Sequence, residues 1–522
     1  MSTASRKLPK RKASLRPLFD GPEWNFELIR KVYDTMGEIA LGELGLDVYP
    51  NQIEVITAEQ MLDAYSSIGM PLMYRHWSFG KRFAHDEAFY KRGMRTLAYE
   101  LVINSDPCIS YVMEENSMTM QALVIAHAAY GHNHFFKNNY QFQMWTQPDH
   151  IIDYLSFAKS YVAECEELHG QEAVESVLDA AHALMNQGIS RDLRPRTRNV
   201  AKREREKAER RRAHEEATYD DIYRTLPEIT KEPVTAESAD SRNEQRRLGL
   251  PEENLLYFLE KNAPKLEDWE RELLRIVRLL AQYFYPQRQT KMMNEGCATF
   301  VHYEILNRLY ERGQLTDGTM LEFLHSHSSV VFQPSFNDRR FSGINPYALG
   351  FAMMNDIRRI CTEPTAEDRD WFPQIAGCED WMGTLREGWA HYRDESFILQ
   401  FMSPKLMRDF RLFAVSDDAK DPAMAVAAIH DEQGYRELRR RLARHYDVAA
   451  QDPDLQVTDA DLSGSRRLVV THGVRNGVLL DKTEAERTLQ YLAQLWGYRV
   501  KLVETDLDSA RVLKEHEALP MP

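Results

Sequence analysis

The sequence predicts a predominantly α-helical protein, in which a multi-helix, aromatic-rich body precedes a small C-terminal α/β domain. Apolar residues recur three and four positions apart along most of the chain, which is the spacing of one helix face. Leu, Ala, Glu, Arg and Met are plentiful, whereas glycine is modest at 24 of 522 residues. Alternation of apolar and polar residues, which is typical of strands, is found near the C-terminus.

The N-terminal part begins with a short segment unlike the rest. Residues 1–16 are polar and basic, and they lack the apolar stretch of a secretory signal, so we predict a disordered tail. Residues 17–190 form a predicted first helical region. Its clearest helical stretches are 26–45 and 151–185, where apolar residues keep helical spacing.

The composition changes over residues 191–250, which are rich in Arg, Lys and Glu and poor in large apolar residues. Two interpretations fit this composition: a solvated helical linker, or a docking arm for an acidic partner or RNA. Opposite charges are interleaved here, and this favours a charged helical linker.

A second helical region, 251–415, is expected to pack with the first. Helices are predicted at 254–259 and 269–285, and a turn at 346–350 opens another.

The last region, 416–522, has the texture of a small α/β domain. Helical spacing predicts helices at 435–446 and 483–496, and alternation predicts strands at 455–462, 466–474 and 498–504, with a turn signal at 476–477. We expect a structural or interaction module.

Charge and cysteine usage exclude some classes of protein. The net charge is −14, which argues against a general nucleic-acid binder, since such proteins need a basic face. No window approaches the ~18 apolar residues of a membrane span. The five cysteines are odd in number and form no CxxC pair, as expected of reduced thiols in a cytoplasmic protein.

The most informative polar residues begin in the stretch 113–139. Ser117 or Thr119 is placed to cap a helix, and His127 falls on the helix's apolar face. The five-residue step from His127 to His132 does not fit one face of a continuous α-helix. We therefore expect Gly131 to end the helix and the break to bring both imidazoles around one point, where they could bind a metal.

A second polar stretch is 294–305. Glu295 and His302 lie seven positions apart and line one side of a predicted helix, so a carboxylate and an imidazole could face a common site. The helix rises about 10 Å between them, so we expect only one of the two to bind the ion directly, and the other to orient a ligand or to transfer a proton. Further candidates lie in two other segments: His325, His327, His391 and Asp394.

Eight ordered segments resemble the SpoVR (stage V sporulation protein R-like) family, among them YRHWSFGKRF, MNEGCATFVHYEILN, FLHSHSSVVFQP and GINPYALGF. The resemblance runs from about residue 20 to residue 505. Where the family pattern has two tryptophans, this chain has Cys297 and Val301. We interpret Cys297 as a buried, inert thiol rather than a nucleophile. His134 and His391 fall outside the fixed positions of the family pattern, so they rank below His127, His132, Glu295 and His302.

The resemblance implies a role in spore-cortex, sporulation or stress physiology. In bacteria that make no spores, genes of this family commonly lie beside those of a PrkA-type serine protein kinase and a von Willebrand A-like protein. These two proteins are therefore the expected partners.

One functional hypothesis is a metal-dependent amide hydrolase. The NEGxA segment resembles the third-ligand helix of gluzincin metallopeptidases, which implies that His127, His132 and Glu295 hold a divalent ion, with zinc preferred. His302, or Glu114 or Glu115, would act as general acid or base. The HExxH motif is missing, because His127 and His132 are one residue too far apart and no Glu lies between them.

Two alternatives remain open. A non-catalytic regulatory or scaffold protein would use the same polar cluster for structure, with or without metal. A carboxylate-bridged di-metal bundle ranks lowest, because it requires Glu-x-x-His pairs that the sequence lacks.

Overall fold

The computed structural model describes residues 16–67, 70, 73–91, 100–191, 248–416, 425–462, 464–475 and 477–520. The predicted basic tail and the predicted charged linker lie almost wholly outside these residues, as does position 476 of the predicted turn. The described chain is mainly helical, as predicted, and it carries a C-terminal α/β domain. The chain divides into two compact units, with boundaries at 163/164, 282/283 and 448/449.

The first unit comprises the described residues up to Ala163 and those from Tyr283 to Val448. Its N-terminal helices are α1 (Phe26–Gly37), the π-helix π1 (Glu38–Glu43), α2 (Ala58–Ser66), α3 (Trp77–Lys91), α4 (Met118–Ile125), the π-helix π2 (Ala126–His132), α5 (Asn133–Asn138), α6 (Tyr140–Trp145) and most of α7 (Ile151–His169).

The later helices of this unit begin with the last turns of α10 (Asp268–Gln289). They continue with α11 (Lys291–Glu311), α12 (Asp317–Val330), α13 (Pro346–Thr362), α14 (Ala366–Trp371), α15 (Trp381–His391), α16 (Asp394–Phe401), α17 (Pro404–Asp409) and α18 (Glu432–Tyr446). The helix α19 (Val448–Gln451) follows at the boundary.

A three-stranded sheet in the first unit was not predicted. Its strands are β1 (Asn51–Ile56), β2 (Glu100–Ile103) and β3 (Cys108–Met113), in the order β1-β3-β2. The β1–β3 pair is parallel and the β2–β3 pair is antiparallel. The strands are short and β1 is only partly apolar, so periodicity gave no signal for them. A short antiparallel pair, β4 (Ala414–Ser416) and β5 (Ala425–Ala428), lies further along the chain.

Helix α11 runs through the core of the first unit, and its residues are buried on nearly every side. It has no side-chain cap of its own. Instead, the Asp394 carboxylate accepts hydrogen bonds from the backbone N–H groups of Met292 and Met293, both at 2.8 Å. Asp394 was predicted to join a functional site, whereas here it caps the helix that carries Glu295.

Small residues let the neighbours of α11 approach its backbone. A Cβ added at Gly131 would lie 2.5 Å from Ala298 Cα, and one at Gly296 would lie 2.6 Å from Gly350 Cα. Larger side chains at these crossings would push π2 and α13 away from α11. The glycines therefore decide how closely three site-bearing helices can meet.

The second unit comprises Glu164–Gln282 and the residues from Ala449 onward, so far as they are described. Its elements include α8 (Gln171–Ala183), a 3₁₀ turn (Met185–Gln187), α9 (Leu255–Asn262) and α20 (Lys482–Trp496). The single helical stretch predicted at 151–185 is divided by Gly170, whose φ is +88°. Because glycine adopts this conformation without strain, the chain can turn there.

The sheet of this unit has the order β6-β7-β8-β9, with β6 (Leu455–Ala460), β7 (Leu468–Val474), β8 (Val500–Asp506) and β9 (Val512–Ala518). The β7–β8 pair is parallel, and helix α20 connects the two strands. The predicted strands and helix are thus present, and β9 is an addition. No helix in the described ranges combines the length and the apolar character needed to cross a membrane.

Candidate metal centre

The two histidines of the 113–139 stretch lie on one continuous helical segment made of α4, π2 and α5. Ser117 caps its start, since Ser117 Oγ accepts a hydrogen bond from Met120 N at 3.2 Å. Gly131 does not end the helix, so that expectation was wrong. Gly131 lies inside π2, where the Ala298 backbone leaves no room for a side chain.

The π-helical turn explains the five-residue step between the two histidines. In a π-helix the backbone hydrogen bonds join residues i and i+5, so side chains five apart stand above one another. His127 and His132 therefore face the same side, with ring centroids 4.6 Å apart. Such π-helical turns are often found at functional sites.

Two carboxylates meet these imidazoles. Glu100 Oε1, from β2, lies 3.2 Å from His127 Nε2 and 3.9 Å from His132 Nε2. Glu295 Oε2, from α11, lies 3.7 Å from each of the same two nitrogens. We call Glu100, His127, His132 and Glu295 the central cluster. Its imidazoles are buried, and its carboxylates are 17% and 18% exposed.

The central cluster contains buried acceptors without donors. Within the part of the chain that the structure describes, Glu100 Oε2 and Glu295 Oε2 are buried and make no hydrogen bond. The separations of 3.7 and 3.9 Å are too long for hydrogen bonds. They are close to the spacing of about 3.4 Å between ligands of a tetrahedral ion with bond lengths of about 2.1 Å. One potential ligand atom from each of Glu100, His127 and His132 lies within 4.8 Å of the other two.

The far nitrogen of each imidazole is held by another side chain. His132 Nδ1 lies 2.9 Å from Asn294 Oδ1, and His127 Nδ1 lies 2.9 Å from His302 Nδ1. Because the Asn294 oxygen is an acceptor, the hydrogen-bond pattern assigns the proton of neutral His132 to Nδ1. Its Nε2 lone pair then faces the carboxylates. Partners of this kind orient histidines that bind metals.

His302 continues into a third imidazole. Its Nε2 lies 2.9 Å from His327 Nδ1, on helix α12. His127, His302 and His327 thus form a buried row in which each ring contacts the next. His302, which was predicted to act as an acid or base, contacts the Nδ1 atom of His127 and does not face the carboxylates.

Burial shifts the protonation of the acids in the central cluster. Burial, together with the charge of Glu295, raises the pKa of Glu100 to about 7, although His127 opposes the shift. Burial would also raise the pKa of Glu295, but His127, His132 and Tyr347 outweigh it, so that pKa is lowered. At neutral pH the site therefore holds one firmly ionised carboxylate and one that exchanges its proton readily.

The pKa values of the histidines are also shifted in opposite directions. Burial and the neighbouring His127 lower the pKa of His132 to about 4, so His132 is neutral at pH 7. Burial also acts to lower the pKa of His127, but Glu100 and Glu295 outweigh it and raise that pKa. Burial and the adjacent histidines depress the pKa of His302, and burial lowers that of His327 to about 4. A neutral His132 is ready to bind a cation.

Tyr347, the second residue of α13, completes the wall of the site. Its hydroxyl lies near the Glu295 carboxylate, and its ring lies nearly parallel to that of His127 with centroids 6.4 Å apart. Burial and the charge of Glu295 raise its pKa, so the hydroxyl keeps its proton and can donate it in hydrogen bonds.

Two predicted acid–base residues are not brought to the cluster. Glu114 and Glu115 lie in the exposed turn between β3 and α4. Glu115 Oε1 accepts a hydrogen bond from Ala58 N at 3.4 Å. Because the chain turns outward after β3, these carboxylates face solvent.

The lower-ranked candidates also lie apart from the central cluster. His134 is buried but accepts a hydrogen bond from Asp47 N at 3.0 Å. His391 is exposed and pairs with Glu387, and His325 is exposed. Cys297 is buried against Gly131, and burial raises the pKa of its thiol, which disfavours a nucleophilic thiolate.

Sequence reasoning missed Glu100, Asn294 and Tyr347. Glu100 is a single acid in the otherwise apolar run LAYELVI, and such an isolated charge next to a strand was a usable signal. Asn294 directly precedes Glu295. Tyr347 carried no signal, because nothing local tells which residue of α13 meets α11.

The chain is similar to two protein-family models and to a bacterial relative. The family model described as "SpoVR like protein" matches residues 23–451, and that described as "SpoVR-like C-terminal domain" matches residues 453–507. "Uncharacterized protein YcgB" of Escherichia coli (strain K12) is 51% identical over 498 residues, which covers 95% of this chain and 96% of the relative. No solved structure matches.

Proposed function

The chain belongs to the SpoVR family, and from that premise we propose that it is a metal-dependent hydrolase that cleaves an amide bond. The ion would be divalent, with zinc preferred, and would be held by His127, His132 and Glu295. Amides of a peptide or of a peptidoglycan precursor are the proposed substrate class. The donor set of two histidines and one glutamate is that of several metallopeptidases.

One observation carries the proposal: two buried carboxylate oxygens that accept no hydrogen bond, Glu100 Oε2 and Glu295 Oε2, belong to carboxylates that meet the Nε2 atoms of both imidazoles. The Nε2 lone pair of neutral His132 faces Glu100 Oε1 at 3.9 Å and Glu295 Oε2 at 3.7 Å. Buried carboxylate oxygens without donors cost free energy, of the order of 1–3 kcal/mol each. A divalent ion bound between these atoms offsets that cost.

Second contacts support the same assignment. Asn294 and His302 occupy the Nδ1 atoms of His132 and His127, which leaves both Nε2 atoms for an ion. Soft ligands are absent from the cluster, since the buried Cys297 contacts Gly131. Nitrogen and carboxylate donors of this kind suit zinc and similar first-row ions.

A bound ion would polarise a substrate carbonyl group and acidify a water molecule. In this arrangement Glu100 accepts the proton of the attacking water and later delivers it to the leaving amine. In the metal-free protein its pKa is about 7. A bound ion would favour the ionised carboxylate, which is the form that accepts a proton. The Tyr347 hydroxyl keeps its proton near Glu295 and would help to orient that carboxylate. Glu100 thereby replaces the predicted Glu114 and Glu115 in the acid–base role.

The first test is elemental analysis of the purified full chain and its His127→Ala and Glu295→Ala variants. We expect about one equivalent of metal in the parent chain and a loss of at least about 100-fold in affinity in both variants. His134→Ala is the matched control, because His134 lies on the same helical segment and contacts Asp47 instead. Thermal melts of all variants report folding.

The second half of the test separates metal binding from catalysis. Glu100→Gln should keep the metal and lose amide hydrolysis, because the amide side chain cannot accept a proton. If the parent chain contains no stoichiometric metal after growth in several metal-supplemented media, the proposal fails. The regulatory or scaffold function, with a serine protein kinase and a von Willebrand A-like protein as partners, then stands in its place.

A further inference from the structure

A pair of cysteines lies outside the central cluster. Cys361 is fully buried near the C-terminal end of α13, and Cys378 is exposed in the loop between α14 and α15. Both are reduced in the structure. The proposed hydrolase uses neither residue.

Backbone hydrogen bonds hold the Cys378 loop against the end of α13. Gly377 N donates to Ile360 O at 3.0 Å, and Glu379 N donates to Cys361 O at 3.1 Å. These two bonds flank Cys378 on either side. The loop position opposite Cys361 is therefore set by the main chain and does not depend on the thiols.

The side chains meet at a shared hydroxyl group. Thr384 Oγ1, on α15, lies 3.7 Å from Cys361 Sγ and 3.8 Å from Cys378 Sγ. Both thiols therefore lie beside the same hydroxyl group. Thr384 Oγ1 donates its own proton to Asp380 O at 2.9 Å, so it is left as an acceptor for the thiols.

We propose that Cys361 and Cys378 are a peroxide-responsive modification site that closes to an intramolecular disulfide in the folded protein. Exposed Cys378 reacts first: its sulfur attacks hydrogen peroxide, the O–O bond breaks, and a sulfenic acid and one water form. The Cys361 sulfur then attacks the Cys378 sulfur, the S–O bond breaks, and the hydroxide leaves as water with the Cys361 proton. Two thiols and one peroxide give one disulfide and two waters.

The order of the two steps follows from accessibility. Cys378 faces solvent, whereas Cys361 has no exposed surface and burial raises its pKa to about 12. Peroxide therefore reaches only one of the two sulfurs in the folded protein. Cys361 is the resolving thiol because it lies beside Cys378, and its raised pKa makes its attack the slower of the two steps.

The disulfide would tie the loop before α15 to the helix that carries Tyr347 at its other end. The two backbone hydrogen bonds that flank Cys378 already hold its loop against the end of α13. We expect the oxidised protein to unfold at a temperature a few degrees higher than the reduced one.

The test treats the reduced full chain with one equivalent of hydrogen peroxide, blocks free thiols with iodoacetamide and maps peptides by mass spectrometry. The expected product is a cross-linked peptide pair joining Cys361 and Cys378 that dithiothreitol separates. Cys108, Cys165 and Cys297 are buried and serve as internal controls, which should be alkylated only after denaturation.

Two variants make the assignment sharp. Cys361→Ser should leave a sulfenic acid at Cys378 that dimedone traps, and Cys378→Ser should leave Cys361 unmodified at the same dose. Conversion of Cys378 to sulfinic acid while Cys361 stays a thiol would overturn the proposal, as would a cross-link that forms only in denaturant. Glu295→Gln should form the same disulfide, so failure of the metal site does not affect the outcome.

Discussion

Among the residues that the structure describes, two buried clusters of carboxylate and imidazole groups can be compared, and their hydrogen bonds are satisfied to different degrees. In the second unit, Glu504 on β8 lies between His472 on β7 and His516 on β9, which we call the sheet cluster. Glu504 Oε1 lies 3.1 Å from His516 Nε2, and Oε2 lies 3.2 Å from His472 Nδ1 and 2.9 Å from Leu480 N. Both oxygens of this fully buried carboxylate are therefore hydrogen-bonded.

The central cluster has the same residue types, but not all of its carboxylate oxygens are hydrogen-bonded. Glu100 Oε2 and Glu295 Oε2 make no hydrogen bond to any described residue, and the histidine Nδ1 atoms are engaged elsewhere. A buried polar group that serves structure is hydrogen-bonded as a rule. The difference therefore separates a cluster whose carboxylate is fully hydrogen-bonded from one in which we propose that a cation completes the contacts.

The same Glu→Gln substitution in each cluster should change stability in opposite directions, and this is the largest expected effect. Hydrogen bonds from Leu480, His516 and His472 outweigh burial and lower the pKa of Glu504, so its charge stabilises the fold. Glu504→Gln should lower the free energy of unfolding by about 3 kcal/mol, because it breaks a buried pair. Glu100→Gln should raise the stability of the metal-free protein at pH 8 by roughly 1–2 kcal/mol, since the folded state disfavours the Glu100 charge.

Chemical denaturation followed by circular dichroism measures both changes, and elemental analysis of the same samples gives their metal content. Glu504→Gln should keep its metal, which shows that the loss is structural. The lowered pKa of Glu504 means that its contribution is present above about pH 4.3 and is lost as the pH falls through the folded-state value. Equal destabilisation by both substitutions would remove the distinction between the clusters.

The sequence revealed the fold class and part of the central cluster for identifiable reasons. His127, His132 and Glu295 stood out because they interrupt apolar helical stretches. The sequence did not reveal how His127 and His132 come to face the same side. A π-helical turn aligns them, and Gly131 in this turn packs against Ala298, which is distant in sequence. The isolated charge of Glu100 was a usable signal, but its partners could not be predicted, because no local pattern reports that its strand pairs with β3.

The next effect concerns the residues behind the central cluster. Asn294→Ala and His302→Gln should each weaken metal binding by about 10–100-fold, because they release the Nδ1 atoms that orient His132 and His127. Competition with a chromogenic chelator measures the affinity. His516→Gln is the matched control in the sheet cluster and should leave the affinity unchanged. Parent-like affinity in both Asn294→Ala and His302→Gln would show that the imidazoles are oriented by packing alone.

The smallest expected effect is the release of a proton when the metal binds. The pH dependence of this release distinguishes the two clusters. With a pKa of about 7, Glu100 is about 90% protonated at pH 6 and about 10% protonated at pH 8. A divalent ion favours the ionised form, so the apparent affinity should fall about tenfold towards pH 6 and proton release should rise.

Titration calorimetry in two buffers of different ionisation enthalpy counts these protons. Glu100→Gln should remove about one proton from the release at pH 6, whereas Glu504→Gln should remove none, because Glu504 stays ionised at both pH values. Release that Glu100→Gln leaves unchanged would place the displaced proton on His127, whose pKa is also raised.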